Sequence, residues 1–170
     1  MPGTNRQEND IEHSYHLALM AWYLIDSRKL DLDLDKVIKY ALAHDLVEIH
    51  AGDTYIWSTD EEHLRSKPER EAAAAEKLKL DLGEFPELHA TIAEYERRDN
   101  PESRFVYALD KILPILLIRE EGGSAWKRDG VTIERILENK SPKVALAPEV
   151  EPYFHALVEL IRKEGLAAES

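Results

Sequence analysis

Cysteine is absent from the 170 residues, which excludes a disulfide framework and any thiolate zinc site. Basic residues are in deficit: 22 Lys and Arg stand against 34 Asp and Glu, a formal charge of -12. Nucleic-acid polymers are gripped through dense Lys and Arg surfaces, so none is an expected partner, although a single nucleotide is not excluded. The acidic balance otherwise means solubility. No apolar run approaches bilayer-crossing length, and Met1 to Arg6 lacks a signal-peptide core. The expectation is a cytoplasmic chain with no membrane partner. Strand-like alternation, internal repeats, Gly-rich phosphate loops and nucleophile elbows are missing too. What is left is an all-α protein of ordinary domain size, long enough to bury a core.

Against that background, Ala41-Leu42-Ala43-His44-Asp45-Leu46-Val47-Glu48 stands out. Read as helix, His44 and Glu48 are i and i+4, and Asp45 and Glu48 are i and i+3, so the three share one region. Val37, Ile38, Ala41, Leu42, Leu46 and Ile49 make the expected buried stripe, and Asp45 falls inside it. A buried carboxylate must be paired, hydrogen-bonded or bound to metal. A hydrogen-bonded His-Asp pair is the plainer alternative.

Two further positions repeat the anomaly. His13 continues the stripe of Leu17, Met20 and Leu24, and Asp110 sits among Val106, Leu109, Leu113 and Leu117. Taken singly, these are a core histidine and a local hydrogen-bond acceptor. Three helices aiming a His or Asp at one core suit a divalent ion instead, one per chain, chosen from Co, Mn, Mg, Zn, Fe or Ni.

The ordered set His13, His44-Asp45 and Asp110 resembles the HD-domain metal-dependent phosphohydrolases. Glu12-His13-Ser14, Ala41 to Glu48, Gly52-Asp53 and Phe105 to Lys111 look like the branch of the 5'-deoxynucleotidases. The resemblance runs from about Arg6 to about Leu117 and implies a compact HD-domain helical bundle over 1–170. It implies His13, His44, Asp45 and Asp110 as metal ligands and Glu48, Asp53 and Asp45 as catalytic groups. It also implies substrate contacts from Asp53, Thr54, Tyr55 and Ile56. The implied substrate is a small phosphate ester, a nucleoside or deoxynucleoside 5'-monophosphate, and the implied assembly is a homodimer. One departure is expected. The family's phosphate-orienting Arg-Trp pair lies well upstream of the first His, and Arg6, seven residues before His13, does not match it. Other HD-type reactions on phosphodiesters or triphosphates, a two-metal site drawing on His63 and His89, and a binding module with a relic site are the alternatives.

The remaining pattern predicts the frame. Asp10 is expected to cap a helix to about Ser27, with Tyr15, Ala18, Leu19 and Trp22 widening its inner face. Asp33 or Asp35 caps the next. Gly52 stops it, with Asp53 a turn residue or a site acid. His50 is a supporting donor or exposed. Tyr55 to Pro68 is a flanking loop or short helix, in which Trp57 stacks on a base or pins the segment to the core. Arg65, Lys67 and Arg70 contact phosphate or stay solvated, and Glu71 approaches the metal's surroundings or stays on the surface. Helices follow at Glu69 to Leu80, Glu87 to Arg98, Glu102 to Glu120 with Pro114 inside, Val131 to Asn139 and Glu151 to Lys163. Gly122 to Gly130 reads as a break, and Ser141-Pro142 as an interruption.

Overall fold

The computed structural model describes residues 8–52, 57 and 61–169, apart from the side chains of His63 and Leu64. Among these residues the regular structure is helical, and no strand occurs. The all-α expectation holds.

Helix α1 (Asp10–Arg28) starts one residue earlier than the sequence suggests. Asn9 is its cap, and Asn9 and Glu12 exchange side-chain-to-backbone hydrogen bonds at 3.0 and 3.2 Å. This reciprocal box satisfies two end donors that Asp10 alone would leave open. Leu17, Ala18, Ala21, Leu24 and Ile25 face inward. Tyr15, Leu19 and Trp22, expected inside, are exposed, as are Ile11 and Tyr23.

Helix α2 (Leu34–Ala43) is capped by Asp33, whose side chain accepts from the Lys36 N–H at 3.2 Å. It ends before the motif rather than running through it. The His44 imidazole donates from Nδ1 to the Ala41 carbonyl at 2.9 Å, the acceptor that the Asp45 N–H would use in a continuing helix. Tighter turns follow, with Glu48 N–H reaching the Asp45 carbonyl at 2.8 Å. The one-turn helix α3 (Glu48–Ala51) closes on Gly52, whose φ of +73° favours glycine. The expected stripe is corrected in two places: Val37 and Ala41 are buried, but Leu42 is exposed on the outer face of α2 itself, and Ile49, beyond the break, is turned out by the altered rotation.

The chain continues through α4 (Glu61–Arg65), α5 (Lys67–Asp81), α6 (Pro86–Arg97) and α7 (Pro101–Glu120). Helix α7 is the axle, packed against α1, α2, α6, α9 and α10. Phe105, Val106, Ala108 and Leu109 on it are fully buried. Its start is tied to α2: Asn100 caps it by accepting from the Ser103 N–H at 2.8 Å and donates to the Tyr40 hydroxyl at 3.1 Å. Pro114 leaves the Asp110 carbonyl without its helical donor, yet α7 runs on.

Two C-terminal expectations fail. The break after Gly123 contains α8 (Ser124–Arg128), whose Trp126 is buried, and α9 (Ile133–Val144) passes through Pro142. Ile133, Ile136, Lys140 and Val144 share its buried face. Burying Val144 returns roughly 1.5–3 kcal/mol, comparable to the proline cost of about 3 kcal/mol. Helix α10 (Glu151–Glu164) lays Phe154, Leu157, Val158 and Ile161 against α7 and α9. No helix among the described residues is long and apolar enough to cross a membrane.

Candidate metal centre

The end of α2, the first turns of α1 and the middle of α7 meet where two imidazoles and two carboxylates converge. His13 Nε2 lies 3.2 Å from Asp110 Oδ1 and 3.8 Å from Asp45 Oδ2. His44 Nε2 lies 3.0 Å from Asp45 Oδ2 and 3.8 Å from Asp110 Oδ1. The two rings are 5.4 Å apart, centroid to centroid. Among the described residues, His13, His44 and Asp45 bring ligand atoms within 4.8 Å of one another.

Each imidazole is tethered on its other nitrogen. His44 gives Nδ1–H to Ala41, and the edge of the Tyr95 ring packs near it, 6.0 Å between centroids. His13 gives Nδ1–H to Glu8 at 3.2 Å, and the same carboxylate also bonds the His16 ring. Both Nε2 atoms therefore face the cluster, that of His13 within hydrogen-bonding distance of Asp110 Oδ1. A backing carboxylate on a ligating histidine fixes its tautomer and raises its basicity.

These residues fit a divalent ion. His44 Nε2 is fully buried with no well-directed hydrogen bond among the described residues. Asp45 is close enough at 3.0 Å but lies off the direction in which the ring nitrogen bonds, so the pair reads as two donors to a common centre. Neighbouring ligands about 2.1 Å from one ion sit about 3.0–3.4 Å apart, near the observed spacing. The electrostatics ask for a cation too. Burial would lower the His44 pKa, but Asp110 and Asp45 outweigh it and push the value up to about 10. His13 is raised by the same opposition of burial to Asp110 and Asp45. Burial would raise the Asp110 carboxyl, but Lys111 and the two imidazoles hold it well below the usual carboxylate range.

A cavity of about 570 Å³ opens beside His44, and one of about 290 Å³ beside His13. Asp45, Glu48, Lys67, Asp110, Lys111 and Lys140 line both, so the two spaces meet at the cluster. The larger adds an apolar wall that includes Val47, Leu78, Ile92 and Tyr95. Its size lies within the range of small-molecule sites, roughly 300–1,000 Å³.

His13, His44, Asp45, Asp110 and Glu48 are thus brought to one place. Asp45 departs from the expected deep burial, its side chain being 26 % exposed. Asp53, Thr54, Tyr55 and Ile56 lie outside the described residues. His50 pairs with Asp81 at 2.8 Å. His89 lines the larger cavity but donates to the Leu82 carbonyl at 2.9 Å, away from the ligand group. Lys67 faces both cavities while pairing with Glu71 at 3.2 Å, and Arg70 is spent on the Ala51 carbonyl at 2.6 Å. Trp57 packs on the core beneath the Arg135 guanidinium, the pinning alternative, while lining the smaller cavity.

Sequence reasoning missed Glu8 and Lys140. Glu8 sits in a polar tail with no periodic signal. Lys140 had one: it follows Ile133 and Ile136 on the buried face of its helix and is only 8 % exposed.

The chain matches the HD domain family model over residues 1–151. It is 33% identical over 117 residues to human 5'-deoxynucleotidase HDDC2, covering 68% of this chain and 55% of the human protein. The Xenopus laevis protein of the same name is 34% identical over 113 residues, covering 65% and 54%. The matched stretch thus spans about half the length of these relatives. A solved structure of a predicted metal-dependent phosphohydrolase from Magnetospirillum magnetotacticum MS-1 superposes with a TM-score of 0.84 at 34% identity. The match covers 99% of this chain and 85% of that one. With its helical bundle and its ordered histidines and aspartates, the chain belongs to the HD-domain family.

Proposed function

We propose that this chain, a single HD domain over 1–170, is a metal-dependent phosphohydrolase that removes phosphate from nucleoside or deoxynucleoside 5'-monophosphates. The observation that carries the reading is the buried Nε2 of His44, without a hydrogen-bond partner among the described residues and facing His13, Asp45 and Asp110 on the wall of a ligand-sized cavity. The names of the human, frog and magnetotactic relatives point the same way. His13, His44, Asp45 and Asp110 would hold one divalent ion of the Co, Mn, Mg, Zn, Fe or Ni type. Such an ion supplies Lewis acidity toward a phosphoryl oxygen and lowers the pKa of water.

The chain's own groups do the rest. Asp45, half-open to the cavities, orients the attacking water. Glu48, at the junction of the two spaces, takes its proton. Asp53 contacts the sugar or protonates the leaving oxygen, with Thr54, Tyr55 and Ile56 framing the nucleoside. The apolar wall of the larger cavity suits a base and sugar. We place the protein in the cytoplasm as a homodimer. The exposed stripe Ile11, Tyr15, Leu19 and Trp22, four residues at helical spacing along α1, supports a second copy as its cover.

Phosphate release from a panel of nucleoside and deoxynucleoside 5'-monophosphates, after chelation and re-addition of Co, Mn, Mg or Zn, tests the proposal. Metal-dependent release is expected, with a rank among bases and sugars. No release with any metal sinks it.

A further inference from the structure

Among the described residues, six Lys and Arg side chains line the two cavities, and four are already paired with carboxylates. Lys67 pairs with Glu71, Lys79 with Glu76, Arg98 with Glu96 and Lys111 with Asp110. Lys140 and Lys143 differ: among the described residues neither has a carboxylate partner. Lys143 donates to the neutral Asn139 amide oxygen at 2.8 Å, and among the described residues no acceptor is found for Lys140. Lys140 is nonetheless 92 % buried and lines both cavities where they meet.

A largely buried lysine without a carboxylate partner among the described residues is costly, and this one is made costlier by its neighbours. Burial and the nearby charges of Lys111 and Lys143 lower the Lys140 pKa to about 8, with Asp110 opposing. Burial and the charges of Lys111 and Lys67 lower that of Lys143 as well. Three helices, α5, α7 and α9, therefore turn lysines on one space in a protein whose overall charge is -12. A chain this acidic has carboxylates enough to pair them, yet α9 supplies none here. A bound dianion would relieve both the burial and the repulsion.

We propose that Lys140, backed by Lys143, is the phosphate-holding cation of this site, its ammonium donating to non-bridging oxygens of a phosphate monoester across the junction from the His13, His44, Asp45 and Asp110 cluster. The assignment rests on the phosphohydrolase reading for its substrate class, and on α9 alone for its geometry. It also gives the extension of α9 through Pro142 a purpose, because a helix stopping at Asn139 would leave both lysines without a fixed position. Lys140 acts by binding and orienting charge and makes no bond to phosphorus.

The test is calorimetric titration of inorganic phosphate into the Mn-reconstituted wild-type chain and its Lys140→Met variant, alongside metal content and melting temperature. Met keeps the volume and removes the charge, so the variant is expected to melt no lower than wild type and to keep its metal. Its phosphate affinity should fall about 10–100-fold, the effect of losing a charge-assisted hydrogen bond. Where esters are turned over, KM should rise by a similar factor and kcat change less. Unchanged phosphate affinity, failure of the wild type to bind phosphate, or loss of metal together with phosphate affinity overturns the assignment. Should Lys140→Met fail to fold, Lys143→Met serves: a 3–10-fold weakening is expected, and none overturns it. The two readings fail separately. Phosphate bound through Lys140 without turnover of any ester sinks the phosphohydrolase reading alone, and turnover with unaltered phosphate binding in the variant sinks this one alone.

Discussion

Glu8 Oε2 accepts from His13 Nδ1 at 3.2 Å, so the ring presents Nε2 to Asp110 and Asp45 on its far side. A carboxylate behind a ligating histidine is worth about 10–100-fold in metal affinity. Glu8→Ala is therefore expected to weaken metal binding by that factor, read by competition against a chromophoric chelator. Helicity and turnover at saturating metal should be largely kept. An unchanged metal constant would remove Glu8 from the centre.

Asp45 touches both imidazoles and belongs to no regular helix. Asp45→Ala should abolish stoichiometric metal and lower turnover by at least about 100-fold, while circular dichroism stays near wild type. Normal turnover in this variant would overturn the assigned role.

The pH dependence has a definite sign. His44, at about 10, and His13, shifted the same way, lie above their ordinary value of 6.5. Their contribution to the stability of the metal-free protein is complete below about 6.5 and is lost as pH rises toward 10. A metal ion must displace those protons, so its affinity strengthens across the same interval. Melting curves with and without Mn should show a larger gain near pH 9 than near pH 6.5, by several degrees. Equal gains would argue against imidazole ligation. Lys140, facing Lys111, Asp110 and Lys143, runs the other way. With a folded value near 8 below the ordinary 10.5, it penalises the fold fully below pH 8, and the penalty fades toward 10.5. Any melting advantage of Lys140→Met should shrink over that range.

Trp22 is 54 % exposed on the outward stripe of α1. If a second copy covers it, Trp22→Glu places a charge in the interface and shifts light-scattering mass from dimer to monomer at micromolar concentration. The melting temperature of the monomer itself should change little, since the side chain is outside the core. A wild-type protein that is monomeric at those concentrations would remove this interface.

Buried charge was the legible signal. Asp110 and His13 interrupt apolar stripes, and the structure puts both in the cluster. Asp45 was found for a partly wrong reason: the helix expected to bury it ends at Ala43, because the His44 ring takes the Ala41 carbonyl, an event periodicity does not encode. The same lapse misassigned Ile49, whereas Leu42, still within α2, faces outward on the regular helix. Outward Tyr15, Leu19 and Trp22 show the converse limit, since periodicity marks an apolar face without saying whether this chain or another covers it. Lys140 obeyed the rule that exposed Asp110, but the stop inferred at Ser141-Pro142 cut its helix short. Glu8 left no trace because a ligand's support is set by tertiary proximity.

The Asn9–Glu12 box has a kinetic consequence. It fastens the helix end immediately beside Glu8 and His13, whereas Asp110 lies deep within a buried helix. Helix ends open far more often than helix middles. Metal exchange should thus proceed by unwinding the first turn of α1, and the residence time of the ion is governed by a surface cap that never touches it.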